Sequence, residues 1–247
     1  MYVHNLDPIL LSLGPLEIRW YGLMYVLAFL VVYYYVRGAI RQDKLDITEK
    51  QLDNLLGLMV LCMIAGARLF YAIFYNPGYF LAQPWKLFFI WEGGLSFHGG
   101  LLGVFGAAFW YARKHDLSIF RLADLFVVPI ALGNAFGRIG NFINGELYGI
   151  ATTLPWGVVF PGTDAARHPT QLYEALSYFL VFVILFSLRN KTSKNGTIFG
   201  LFLILYAIFR FSIEFIKDLP LYGPLTMGQW LTIPMIVFGV WLVRRKT

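Results

Sequence analysis

Apolar residues along this chain come in blocks of helical-span length, separated by short polar stretches rich in Gly, Pro and basic side chains. Seven blocks stand out, over residues 18–37, 52–75, 95–112, 121–141, 171–189, 197–217 and 228–243. An α-helix needs about 20 apolar residues to cross a hydrocarbon core of roughly 30 Å, and each block approaches that length. The pattern predicts an all-α polytopic membrane protein, a single membrane domain over 1–247 with about seven transmembrane helices. Residues 1–17 read as an amphipathic lead-in lying at the interface, and 142–170 as a loop on the same, outer side. The opening stretch MYVHNLDPILLSLGPLEIRW has no basic n-region and no small-residue cleavage site, so it does not read as a signal peptide.

Composition agrees with the pattern. The 247 residues are 58% hydrophobic and 14% charged, whereas soluble domains carry about 25% charged residues. The formal charge of +6 suggests nucleic acid only until the charges are located. Arg37, Arg41, Lys44 and Lys50 follow the first run, and Arg113, Lys114 and Arg121 the third. Arg189, Lys191 and Lys194 follow the fifth, and Arg244, Arg245 and Lys246 close the chain. These thirteen of the 20 basic residues fall on one side, against Arg19, Lys86, Arg167 and Lys217 on the other. Cytoplasmic loops collect Lys and Arg, which predicts an outer N-terminus and a cytoplasmic C-terminus. The basic charge is a topology signal, and no nucleic-acid partner is expected.

Three basic residues, Arg68, Arg138 and Arg210, remain inside predicted spans. An arginine at mid-bilayer costs at least about 2.5–3.5 kcal/mol, so each needs a partner or a task. In the predicted topology all three lie in the outward half of their helices. His98, Trp20 and Tyr21 stand at the outer starts of theirs, and His168 in the outer loop before the fifth run. Polar groups therefore converge on one depth, in the outer leaflet.

Asn134, Arg138 and Asn141 follow i, i+4, i+7 spacing and share one helix face. Gly133, Gly137 and Gly140 form a neighbouring stripe that by itself suits close helix packing. A permanent charge beside Asn141 and Glu146 demands more than packing. Tyr206, Arg210 and Glu214 repeat the arrangement at i, i+4, i+8. Arg210 and Glu214 can satisfy one another along the helix, yet two arginines at similar depth favour a shared anion, because guanidinium groups fork onto phosphate. Arg68 either joins them or pairs structurally with Glu92 or Asp124. His98, in GGLSFHGGLLG, is either a hydrogen-bonded core residue or a functional imidazole given room by its glycines. The single cysteine, Cys62, has no nearby histidine and reads as packing.

No HExxH, GxSxG, P-loop or metal-spaced Cys/His cluster occurs. No serine or cysteine sits beside a histidine at the outer face as a covalent nucleophile. An arginine-lined outer site without its own nucleophile implies that the substrate brings one. The residues by themselves lead to an intramembrane site for an anionic, phosphate-bearing ligand at lipid depth. A transporter for such a ligand is the rival class, opposed by the lack of an internal repeat and by charges confined to one leaflet. A retinal-type receptor is opposed by the lack of a lysine in the last run.

The stretch GRIGNFINGELYG, residues 137–149, resembles the signature of the bacterial phosphatidylglycerol–prolipoprotein diacylglyceryl transferases. HGGL at 98–101, RWYGLMY at 19–25, RHPTQLYE at 167–174 and MGQ at 227–229 are similar to that family's motifs as well. The outer segment near 145–170 is shorter than in the family's larger members. The resemblance implies an enzyme of the bacterial plasma (inner) membrane with its active site at the outer leaflet. It would move the diacylglyceryl group of phosphatidylglycerol to the lipobox cysteine of a preprolipoprotein and release glycerol phosphate, without cofactor or metal. It further implies that Arg138 and Arg210 hold the lipid phosphate. Tyr21, Asn141, Glu146, Gly149, Tyr206, Glu214 and His98 would complete the site, with His98, Arg138 and Arg210 as its catalytic members. Membrane lipids and the signal-peptide region of the preprolipoprotein are the implied partners.

Overall fold

A computed structural model describes residues 2–14, 16–192 and 194–245, so Met1 of the lead-in and Lys246 of the basic tail lie outside the described residues. Each apolar run forms a helix: α1 (Trp20–Ile40), α2 (Glu49–Phe74), a short α3 (Pro77–Ala82), α4 (Phe97–Lys114), α5 (Ile119–Ile143), α6 (Thr170–Leu188), α7 (Thr197–Glu214) and α8 (Met227–Arg244). Six of these, α1, α2, α5, α6, α7 and α8, are long and apolar enough to cross a membrane. The third run, 95–112, does fold as a helix, α4, of 18 residues. It falls short of that standard because His98, four glycines and the terminal Arg113 and Lys114 dilute its apolar content.

The lead-in is β-structure. Tyr2–Val3 (β1) pairs in parallel with Val158–Val159 (β4), and Ile9–Leu13 (β2) with Leu16–Arg19 (β3) in an antiparallel hairpin. Gly14, at φ 61°, occupies the left-handed region that such a tight turn needs. The buried His4 fastens this segment, its Nε2 lying 2.7 Å from the Phe142 carbonyl and its amide donating to Val159.

Residues group into two compact units, Met1–Val36 with Ala123–Thr247, and Arg37–Leu122. In the first unit, Val127, Val128, Ala131, Val181, Leu185 and Ile198 make a core where α5, α6 and α7 meet. Helices α7 and α8 approach at Gly200 and Gly239, where a Cβ on either glycine would lie 2.7–2.8 Å from the other's carbonyl oxygen. The stripe on α5 divides its labour. Gly133 receives Ala28 and Gly140 receives Tyr21, both from α1, while Gly137 faces open space. Asp124 accepts from the Gly196 and Phe199 amides at 2.6 and 2.7 Å, satisfying the start of α7.

In the second unit α4 packs along α2, with Gly66, Gly99 and Gly103 at backbone contact. A capping box between Thr48 and Gln51 starts α2. Arg68, 5% exposed, donates to the carbonyls of Lys86, Leu87, Phe89, Gly93 and Gly94. Among the described residues it therefore pairs with neither Glu92 nor Asp124 but with carbonyls of one short 3₁₀ turn, Pro84–Phe88, and of the residues on either side of a second, Ile90–Glu92. Glu92 instead bonds Lys86 and holds that ammonium above its ordinary pKa. One guanidinium ties five carbonyls of this irregular stretch together, those of Lys86 and Phe89 also accepting from the Phe89 and Glu92 amides, which is a structural task.

Candidate active site

The last turn of α5 carries Arg138 and Asn141, and the chain then turns through Gly145 (φ 70°) and Leu147 (φ 62°). This turn returns Glu146 to the helix end. Its Oε1 accepts from Asn141 Nδ2 at 2.8 Å and Asn144 Nδ2 at 3.1 Å. The first turn of α6 fastens the same loop, Thr170 donating to the Leu147 carbonyl and Gln171 to that of Glu146. Tyr21 packs on Gly140 one residue before Asn141, and its hydroxyl bonds Tyr25 at 3.0 Å.

Gly149 runs between two backbones. Its amide donates to the His168 carbonyl, Ile150 donates to the Ile216 carbonyl, and Gly149 pairs with Lys217. A Cβ here would collide with the Ile216 carbonyl and lie 2.8 Å from Thr170 Cγ2. Glycine is required by this close approach, and the result is that Lys217 is carried to the foot of α6.

There the charges meet on Glu174, a residue 1% exposed. Lys217 Nζ donates to its Oε1 at 2.8 Å. Arg138 Nε lies 3.2 Å from its Oε2, and Arg210 Nη1 lies 3.6 Å from its Oε1. Arg210 Nη2 also sits 2.6 Å from Glu214 Oε1, so the pair allowed by i, i+4 spacing does form. Glu214 is held in turn by the Thr226 hydroxyl at the N-cap of α8, and a Cβ on Gly228 would strike its carboxylate. A carboxylate at that helix start gains from the dipole and the unpaired amides. Tyr206 stacks on Tyr178 at 5.6 Å, joining α7 to α6 beside Arg210.

Of the residues read from sequence, Tyr21, Arg138, Asn141, Glu146, Gly149, Tyr206, Arg210 and Glu214 all belong to the first unit. Arg138, Arg210 and Glu214 form one charge cluster, and Asn141 joins it to Glu146. His98 belongs to the second unit, exposed in the first turn of α4, and its imidazole makes no hydrogen bond among the described residues. Two members of the cluster escaped the sequence reading. Glu174 sits inside an apolar run, and the question asked of intramembrane arginines applies equally to an intramembrane acid. Lys217 looked like a loop charge.

The cluster holds three cations, Arg138, Arg210 and Lys217, against two carboxylates, Glu174 and Glu214. Breaking a buried pair by removing one partner costs about 3–5 kcal/mol, so both carboxylates hold the cluster together. One positive charge is left over. The side chains of Arg138 and Arg210 are 20% and 23% exposed, so the surplus is open to an incoming anion.

The sequence profile of the prolipoprotein diacylglyceryl transferase family matches residues 8–245. Relatives named phosphatidylglycerol–prolipoprotein diacylglyceryl transferase occur in Solidesulfovibrio magneticus, 45% identical with 100% of this chain and 97% of the relative covered, and in Geobacter sulfurreducens, 43% identical with 97% and 95% covered. A third, from Polynucleobacter asymbioticus, is 45% identical with 100% and 99% covered. With the helices, the arginine cluster and similarity along the whole chain in agreement, the protein belongs to the prolipoprotein diacylglyceryl transferase family.

Proposed function

We propose that this enzyme transfers the diacylglyceryl group of phosphatidylglycerol to the lipobox cysteine of a preprolipoprotein at the outer leaflet of the bacterial inner membrane. The observation that carries the chemistry is the net positive cluster at Glu174, in which two guanidiniums from different helices remain partly open. The cysteine sulfur attacks the glyceryl carbon, a carbon–sulfur bond forms, and the carbon–oxygen bond to phosphate breaks. Its electron pair leaves with glycerol phosphate, and the thiol proton passes to a base. A phosphodiester monoanion becomes a phosphomonoester that gains charge as it departs. Arg138 and Arg210 stabilise that developing charge more than the ground state, in surroundings of low dielectric where the difference is large. Tyr21, Asn141, Glu146 and Tyr206 position the lipid, and His98 takes the thiol proton. Purified protein mixed with phosphatidylglycerol vesicles and a lipobox peptide should yield peptide heavier by one diacylglyceryl group, attached at cysteine. Movement of the lipid across the vesicle without peptide modification would instead favour transport.

The orientation follows from the charge distribution, with an outer N-terminus and a cytoplasmic C-terminus. Single cysteines placed in 41–50, 113–121 or 190–195 of a Cys62-free protein should resist impermeant thiol reagents in intact cells. Those at 80–84 or 163–166 should react. Reaction at 113–121 from outside would overturn the topology.

A further inference from the structure

Glu174 lies between two arginines, Arg138 and Arg210, that are each partly open to solvent. How it is held is informative. Its aligned hydrogen bond comes from Lys217, through Oε1 at 2.8 Å. Its Oε2, although 3.2 Å from Arg138 Nε, makes no aligned hydrogen bond among the described residues. Arg210 stands farther off, at 3.6 Å. Glu174 thus offsets the arginines' charge while leaving their forked N–H donors largely unspent. Arg138 commits one of its donors to Asn141, at 3.4 Å, and Arg210 turns Nη2 to Glu214, at 2.6 Å, which leaves the remaining guanidinium N–H groups for a ligand.

A site that binds a monoanion and must release a more highly charged product faces a problem of exit. The arginine fork that grips the departing phosphate in the transition state grips the product at least as well. A carboxylate tethered beside the fork resolves it, because it is always present at high local concentration and competes for the same donors.

We propose that Glu174 is a built-in competitor for the phosphate and that Lys217 sets how strongly it competes. When phosphatidylglycerol binds, Arg138 and Arg210 turn from Glu174 to the lipid phosphate, and Glu174 keeps Lys217 as its counter-ion. After the carbon–oxygen bond breaks, Glu174 reclaims the arginines and displaces glycerol phosphate. The proposal rests on the reading of Arg138 and Arg210 as phosphate ligands.

The test uses the purified full-length enzyme in phosphatidylglycerol vesicles, with glycerol phosphate as inhibitor. Glu174→Gln should bind glycerol phosphate at least about tenfold more tightly, by its inhibition constant. Its steady-state turnover should fall further below its own first turnover than in wild type, the signature of delayed release. Lys217→Met frees Glu174 to close on the arginines and should weaken glycerol phosphate by roughly tenfold. Simple summation of charge predicts the same two directions, so the double variant decides. It restores the net charge of the cluster, and by charge alone its inhibition constant returns to the wild-type value. By competition it stays within about threefold of Glu174→Gln, since Lys217 has nothing left to restrain. Return of the double variant to the wild-type constant overturns the proposal, as does unchanged or weaker inhibition of Glu174→Gln. If Glu174→Gln elutes as aggregate on size-exclusion chromatography, Glu174→Asp decides, because it keeps the charge but draws the carboxylate back from the arginines, and unchanged inhibition there overturns the proposal. A wild-type enzyme that glycerol phosphate does not inhibit overturns the phosphate-ligand reading itself, which separates the two failures.

Discussion

Arg138→Lys and Arg210→Lys are each expected to insert and fold yet lose turnover by roughly 100- to 1,000-fold, the scale seen when one preorganised donor to a developing negative charge is removed. Lysine keeps the charge, so Glu174 retains a counter-ion and the cluster holds together. What lysine cannot keep is the planar fork. Its ammonium is a point charge, whereas a guanidinium presents two parallel N–H bonds to two phosphate oxygens at once. The loss should fall mainly on kcat, because the fork matters most when the leaving phosphate gains charge. Arg68→Lys is the internal comparison. Arg68 serves five backbone carbonyls, so its replacement should lower thermal stability and order in residues 84–94 more than it slows the chemical step. Near-normal turnover by purified Arg138→Lys would count heavily against the phosphate role.

His98→Gln is expected to be badly impaired at neutral pH and to recover as pH rises, which distinguishes a base from a positioning group. An ordinary thiol has a pKa near 8.5, so at pH 7 only a few per cent of it is the reactive thiolate. A base that takes the proton during attack removes that handicap; without it, the rate follows the thiolate already present. Between about pH 6.5 and 8.5 the ratio of variant to wild-type activity should climb roughly tenfold per pH unit, then level off once the thiol ionises unaided. His98 is exposed in the first turn of α4. A flat ratio across this range, with lipid binding intact, would assign His98 to positioning.

Much of the architecture was legible because hydrocarbon leaves a chain few options. Backbone groups in lipid must bond within their own segment, so a run of twenty apolar residues has to be a helix, and the helices follow the runs within a few residues. The third run shows the limit of that rule. A helix forms there, but His98 and the glycines between α2 and α4 serve helix contact as much as span hydropathy. The lead-in is harder to read, because a short apolar run such as Ile9–Leu13 suits an interfacial segment or a hairpin, and pairing with β3 decides. Intramembrane arginines announce a need for partners through their cost alone.

The sequence by itself determined the helices and the presence of arginines that needed a partner. Each of these follows from the preference of single residues for water or hydrocarbon, which a linear reading can sum. Which partner each arginine takes was decided only in three dimensions. Arg68 and Arg138 look alike along the chain, yet one meets five carbonyls and the other meets Glu174. Lys217 reaches that carboxylate because Gly149 lets two backbones close on one another, 43 residues from Glu174 along the chain. Electrostatic pairing depends on distance in space, and distance in space depends on contacts that no local pattern encodes.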